Sequence, residues 1–167
     1  GGVTSVVTSA GFGAAHMTTL AELLAATSVS KVGKFRCRAS VAAIAPPTAG
    51  EMVAWSRRER RQVCVMTLTL QDDSGSLPAV VAYEDFEEFT GVSQQDMCTP
   101  AGIQRCAAVV ANLRAPGATV DVCLKTCQGR AGSLLARVFA TKMLAAPRPA
   151  PPAAAAAAPR KRKARDS

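Results

Sequence analysis

Five short segments of the chain are predicted as β-strands from their apolar and polar patterning. The first, residues 34–44, alternates with a period of two, so that one face of the strand is apolar and the other is basic. The basic face carries Lys34, Arg36 and Arg38. The remaining strands are predicted at residues 63–70, 77–83, 120–125 and 134–143. Between the second and third strands lies Asp72-Asp73-Ser74-Gly75, a tight-turn signal that predicts a hairpin.

Two helices are predicted from caps and from apolar residues spaced three or four apart. Thr19 and Glu22 have the spacing of a capping box, which predicts a short helix over about two turns beginning at residue 19. After the third strand, Phe86 and Phe89 would face inward from a helix over residues 84–89, which Gly91 can end. Residues 93–110 are compatible with either helix or strand.

Five strands with a helix after the third predict a mainly β fold, a five-stranded Greek-key barrel of the oligonucleotide-binding (OB) type with a short N-terminal helix. An SH3-like barrel has a similar strand count, and the helix between strands three and four favours the OB type. We expect residues 1–17 to form a flexible lead-in and residues 18–146 to form the barrel. Residues 147–167 are rich in proline and alanine and are predicted to be a disordered basic tail.

Charge is distributed unevenly along the chain. The net charge is +8, and residues 31–61 alone carry eight basic and two acidic residues. Blocks of this kind favour contact with a polyanion, although a solvated surface is an equally good interpretation of the early block. The longest apolar run, residues 153–158, is far too short for a membrane helix, so we expect no membrane association.

The candidate chemistry does not indicate an enzyme or a cofactor. The single histidine, His16, lies in the predicted lead-in, and Asp72 and Asp73 lie in a turn that explains them. Of the six cysteines, only Cys123 and Cys127 are closely spaced, and at strand spacing they would lie about 13 Å apart, too far to share one zinc ion. We therefore expect no metal site and interpret the cysteines as small core residues.

Three parts of the sequence together resemble an OB domain of the protection-of-telomeres family, which includes the telomere end-binding protein alpha subunit of ciliates. They are the string 19–24 followed by Lys34-Phe35-Arg36-Cys37-Arg38 and Pro46-Pro47, the run Leu68 to Val81, and Asp85-Phe86-Glu87-Glu88-Phe89. The resemblance covers residues 18–143. It is closer to the C-terminal OB domain of the family than to the first, DNA-gripping one, and in family members the C-terminal domain commonly engages a protein partner.

The replication protein A large subunit, a general single-strand binder, is the alternative relative. It has a similar hairpin and helix, but one of its OB domains carries a zinc ribbon between the first strands, and residues 48–62 contain no paired cysteines. The resemblance to the telomere family therefore implies a role in telomere end protection. Its implied partners are single-stranded G-rich DNA, a protein of the telomere complex, or both.

A nucleic-acid site would combine phosphate contacts with stacking aromatic rings. Phosphate contacts are predicted for Lys34, Arg36, Arg38, Arg57, Arg58, Arg60 and Arg61. Trp55 and Tyr83 are the candidate stacking residues, though a loop tryptophan can equally fold back onto the barrel and Tyr83 ends a strand. Phe35 is assigned to the core. Because aromatic residues are so few, we expect the barrel to be an assembly and capping module more than a principal DNA clamp.

Two further segments bear on partners and location. Residues 19–24 and 93–110 offer more large apolar side chains than one small barrel needs, which favours a protein-binding surface. The tail cluster resembles a nuclear import signal, with a solubilising basic tail as the alternative, and implies a nuclear, telomeric location. Its basic residues are Arg160, Lys161, Arg162, Lys163 and Arg165.

Overall fold

The computed structural model describes residues 5–6, 8–11, 17–29, 33–128 and 134–144. The strands are β1 (Ser5–Val6), β2 (Thr8–Ala10), β3 (Gly33–Ala45), β4 (Val53–Ser56), β5 (Arg61–Asp72), β6 (Gly75–Ala82), β7 (Ala118–Gln128), β8 (Leu134–Phe139) and β9 (Thr141–Met143). The helices are α1 (Leu20–Val29), α2 (Glu84–Thr90) and α3 (Pro100–Leu113), with short 3₁₀ turns at Ala49–Met52 and Asp96–Cys98. None of these helices is long and apolar enough to cross a bilayer.

Strands β3, β5, β6, β8 and β7 form a closed barrel in that order. All neighbours pair antiparallel except β6 and β8, which run parallel, and β7 closes the barrel by pairing with both β8 and β3. This is the strand order of a five-stranded Greek-key barrel of the OB type, with α2 and α3 inserted between the third and fourth barrel strands. The predicted fold class is confirmed.

Alternation along the strands fills the barrel interior, because successive side chains of a strand point to opposite faces. On β5, Met66, Leu68 and Leu70 are fully buried while the residues between them are only partly buried. The core continues into the helices through Phe86 and Phe89 of α2, both of which are fully buried as predicted. Gly91, with φ of 71°, ends α2 in the left-handed conformation.

The N-terminal helix is fixed by its own cap and by the β5–β6 hairpin. The backbone N–H of Glu22 donates to Thr19 Oγ1 at 3.2 Å and the N–H of Thr19 donates to Glu22 Oε2 at 3.0 Å, which confirms the capping box. The turn adds a contact that the sequence pattern does not predict. Asp72 accepts from the N–H of Leu20 at 2.9 Å, so the Asp-x-Ser-Gly turn also caps α1.

Several elements lie where the sequence predicts none. Strand β1 pairs in parallel with β7, and β2 pairs with β9, so the prediction of a flexible lead-in is wrong for residues 5–6 and 8–10. Strand β4 pairs with the start of β5, in the segment between the first two predicted strands. The ambiguous residues 93–110 form a 3₁₀ turn and most of α3. The last predicted strand divides at Ala140, whose φ is 43°, into β8 and β9.

The cysteines are free thiols, and their core assignment is only partly right. Cys37, Cys64, Cys106 and Cys123 are buried, whereas Cys127 is half-buried and Cys98 is exposed. Burial raises the pKa of Cys37 to about 12, in keeping with an inert core thiol. Cys98 lies outside the core because it ends the short 3₁₀ turn, where its Sγ contacts Gln62 Oε1 at 2.8 Å.

Candidate nucleic-acid interface

A basic hairpin projects from the barrel between its first two strands. Strand β4 pairs with the first residues of β5, and the turn between them is Arg57–Arg58–Glu59–Arg60. All four of these residues are exposed. Trp55, opposite Gln62 in the hairpin, is 64% exposed, so it does not fold back into the core. The hairpin therefore presents cations and one aromatic ring together.

The arginines of the hairpin differ in their ion pairs with carboxylates. Arg61 Nε donates to Glu59 Oε2 at 2.8 Å and its Nη2 lies 3.7 Å from Glu84 Oε1. The hydrogen bond to Glu59 raises the pKa of Arg61. Among the described residues, no carboxylate lies within ion-pair distance of the other hairpin arginines, which are Arg57, Arg58 and Arg60.

A shallow groove follows the outer face of β5, β6 and β8. Its floor is mainly apolar, and one end carries the Tyr83 ring with the Arg137 guanidinium 5.7 Å from the ring centroid. The lining residues are Val65, Val80, Ala82, Tyr83, Leu135 and Arg137. Leu135 is 44% exposed, so the floor is open to solvent. An aromatic ring with an adjacent cation on an apolar floor suits the flat face and the phosphate of a nucleotide.

The backbone holds Tyr83 in an unusual conformation at the end of β6. Its φ is 57°, a value that bulky side chains rarely adopt, and its N–H donates to Cys64 O at 3.1 Å. Glu84 follows directly and contacts Arg61. The base of the basic hairpin therefore adjoins the Tyr83 end of the groove, and the structure brings Tyr83 together with the hairpin residues predicted for the site.

The three basic residues of β3 lie elsewhere. The part of β3 that carries them pairs with β7, whereas the part that pairs with β5 begins at Ser40. Arg36 forms a two-point ion pair with Asp121, with Nε–Oδ1 and Nη2–Oδ2 distances of 2.9 and 2.7 Å. Arg38 Nη2 lies 4.0 Å from the same carboxylate, and Lys34 lies opposite Lys125.

Residues N-terminal to the barrel form hydrogen bonds with the backbone of both Arg36 and Asp121. Thr8 Oγ1 donates to the carbonyl of Asp121 at 2.9 Å and accepts from its N–H at 2.6 Å, while the N–H of Thr18 donates to the carbonyl of Arg36 at 2.8 Å. The Asp121 side chain is only 8% exposed. The hydrogen bond from Arg36 lowers the pKa of Asp121. A phosphate could bind the Arg36 guanidinium only by breaking its ion pair with Asp121.

Sequence reasoning missed Arg137, Leu135 and Lys125. All three occupy outward positions of predicted strands, so the period-two pattern was the signal that could have found them. The proximity of Tyr83 and Arg137 depends on the parallel register of β6 and β8, in which Val80 lies opposite Arg137, and no pattern within either strand predicts this register. The predicted import signal at residues 160–165 lies outside the described residues.

Comparison with solved structures gives the same fold. The chain matches a chain in a crystal structure of fission yeast Pot1 and Tpz1 with a TM-score of 0.66 and 15% identity, over 86% of this chain and 100% of that one. It also matches a replication protein A heterotrimer bound to single-stranded DNA, with a TM-score of 0.52 and 11% identity. That match covers 78% of this chain but only 37% of the other. No curated protein sequence matches the chain.

The family match is independent of these structural likenesses. Residues 3–128 match the POT1A-like OB fold domain, and this range includes β1, β2, the basic hairpin and the first four barrel strands. It extends further toward the N-terminus than the resemblance seen in the sequence, in agreement with the pairing of β1 and β2 with the barrel. The chain belongs to the POT1A-like OB-fold domain family.

Proposed function

We propose that this domain binds single-stranded DNA across the groove of β5, β6 and β8 and serves in telomere end protection. One observation carries the proposal: the open Tyr83–Arg137 platform adjoins a hairpin that presents three arginines without a carboxylate partner among the described residues. In OB barrels the face of the second and third strands, with the loop between the first two, binds oligonucleotides. Strands β5 and β6 and the basic hairpin occupy these positions.

In this arrangement each part has a separate role. The Tyr83 ring stacks on a base, a contact that contributes about 1–3 kcal/mol per base, and Trp55 offers a second ring on the hairpin. Arg57, Arg58 and Arg60 hold phosphates, and each phosphate contact adds salt dependence through counterion release. Binding needs no catalytic group, so we propose a binding function and not an enzymatic one.

The telomeric part of the proposal is supported by the POT1A-like family match, which also favours it over a general single-strand binder like replication protein A. A nuclear location at chromosome ends follows from this proposal. In the segments expected to form a partner surface, Leu20, Leu23 and Met97 are fully buried, whereas Leu24 is 39% exposed. Assembly with a telomere protein, and similarity to the C-terminal OB domain, stay predictions.

The experiment is a fluorescence-anisotropy titration of the chain with G-rich and with mixed-sequence single strands at several salt concentrations. We expect the G-rich strand to bind more tightly. Tyr83→Ala should weaken binding by about 1–3 kcal/mol, or roughly 5- to 150-fold, while Tyr83→Phe keeps the ring and the affinity. Replacing Arg57, Arg58 and Arg60 together by Gln should reduce the salt slope by about 2, at about 0.7 per phosphate.

The control is Arg105→Gln with Arg114→Gln, which removes two of the same kind of charge from exposed positions on α3 and directly after it. It should leave the affinity nearly unchanged. Absence of binding at low salt, or equal loss in the control, would refute the DNA site. Equal affinity for both strands would instead favour the general single-strand binder.

A further inference from the structure

Three cations lie side by side across three neighbouring barrel strands. In the strand register, Lys34 of β3 is directly opposite Lys125 of β7, and Lys125 is directly opposite Arg137 of β8. Directly opposite residues share a face of the sheet with their Cβ atoms about 5 Å apart. We call Lys34, Lys125 and Arg137 the basic row. Like charges in this position destabilise a sheet, and here two such pairs are adjacent.

Two aromatic rings and one carboxyl group lie beside the basic row. Lys34 and Lys125 both lie over the Phe139 ring, with Nζ 5.9 and 5.1 Å from its centroid. Burial raises the pKa of Asp85 of α2, while the nearby charges of Lys125 and Arg137 act in the opposite direction. The rings of Phe139 and Tyr83 and the partly buried carboxyl group of Asp85 thus lie beside the three cations.

Arg137 joins the row to the groove. Its guanidinium lies against the Tyr83 ring, while its backbone position places it next to Lys125. From Arg137 the row runs around the outside of the barrel to β3, across two strand spacings of about 4.8 Å each. It ends at Lys34, because the next outward residue of β3, Arg36, is paired with Asp121.

We propose that the basic row binds the sugar–phosphate backbone of the single strand where it leaves the groove at Arg137. This inference rests on the proposed function and adds a second binding surface, formed by β7 and β3, outside the face of β5 and β6. A row of like charges that weakens the sheet is a local conflict of the kind expected at functional sites. A polyanion relieves the conflict, since each phosphate lies close to two cations at once.

The experiment compares two lengths of the same G-rich single strand, about 6 and about 16 nucleotides, a span that covers the site sizes of OB barrels. The variant is Lys34→Gln with Lys125→Gln. Its loss of affinity should grow with strand length and reach about tenfold for the longer strand at low salt. Its salt slope for that strand should fall by about 1.4, at about 0.7 for each lost phosphate contact. Lys34→Arg with Lys125→Arg keeps both charges and should bind as the wild type does.

The controls separate the basic row from the groove. Arg105→Gln with Arg114→Gln removes the same charge elsewhere and should not change the slope. If the wild type binds both strands and the Gln variant has the wild-type slope, the row is refuted while the groove stands. If the wild type binds neither strand, both proposals fall. If poly-glutamate competes as well as DNA of equal charge, and only when both lysines are present, the row is a surface for an acidic protein and the DNA assignment is overturned.

Discussion

Two arginine ion pairs of nearly equal length lie in very different surroundings. The Arg36–Asp121 pair measures 2.7 Å, and its side chains are 23% and 8% exposed. The Arg61–Glu59 pair measures 2.8 Å, and its side chains are 48% and 35% exposed. Both arginines belong to the same basic stretch of sequence. The structure divides that stretch into a covered part that holds the fold together and an exposed part that is available to a polyanion.

The two ion pairs differ in the burial of their side chains and not in the distance between their charged atoms. An exposed ion pair gains little because water and salt screen it, and its contribution to stability is typically about 0–1 kcal/mol. A buried carboxylate that loses its partner remains as an uncompensated charge, which is far more costly. Asp121 is in the second situation, because its side chain is only 8% exposed.

The largest effect is expected from Arg36→Ala. Among the described residues, removing the guanidinium leaves the buried Asp121 carboxylate with Arg38, at 4.0 Å, as its remaining ion-pair partner. The free energy of unfolding should therefore fall by roughly 2–4 kcal/mol. Arg58→Ala, the matched change in the hairpin, should alter it by less than about 0.5 kcal/mol. Urea unfolding of both variants measures the difference. Similar values for the two would show that burial does not separate the two regions.

The sequence predicts features that depend on residues close together in the chain, and it does not predict those that depend on distant pairing. Strands β3, β5 and β6, helix α2 and the capping box of α1 follow from patterns within a few residues, and the structure confirms them. The ion pair of Arg36 does not follow from a local pattern, because its partner Asp121 is 85 residues away in the sequence. The β3–β7 register brings the two residues together. The short strands β1 and β2 carry no apolar alternation and exist only through pairing with β7 and β9.

The same limits apply to the candidate site. The arginines at 57, 58 and 60 were found because a run of charge needs no tertiary context. The position of Tyr83 at the end of a strand makes it a candidate. The cation that lies over its ring, Arg137, is on β8, and the parallel pairing of β6 with β8 that places it there is not predicted by any local pattern. The sequence could therefore indicate a polyanion site but not which of its cations the fold leaves available.

A second, smaller effect is expected on stability at low pH. The hydrogen bond from Arg36 holds the pKa of Asp121 below its ordinary value of 3.8. A lowered carboxyl pKa gives stability that is complete above the unfolded pKa and is lost as the pH falls through the folded pKa. The stability difference between wild type and Asp121→Asn should thus be constant above about pH 5 and should shrink below the ordinary pKa. Denaturant unfolding across this range checks it, and a difference that grows in acid would contradict the assignment.

The smallest effect is expected at the exposed pair. Glu59→Gln removes the carboxylate that engages Arg61, so stability should change by less than about 0.5 kcal/mol. Affinity for single-stranded DNA should rise, with a salt slope steeper by up to about 0.7, because Arg61 then keeps the longer, exposed contact with Glu84, which a phosphate can displace. Glu51→Gln is the control, since that carboxylate accepts a hydrogen bond from Thr48 at the start of the same loop. If Glu59→Gln instead weakened DNA binding while Glu51→Gln did not, the pair would be holding Arg61 in its binding position, and the exposed region would share the structural role now assigned to the covered one alone.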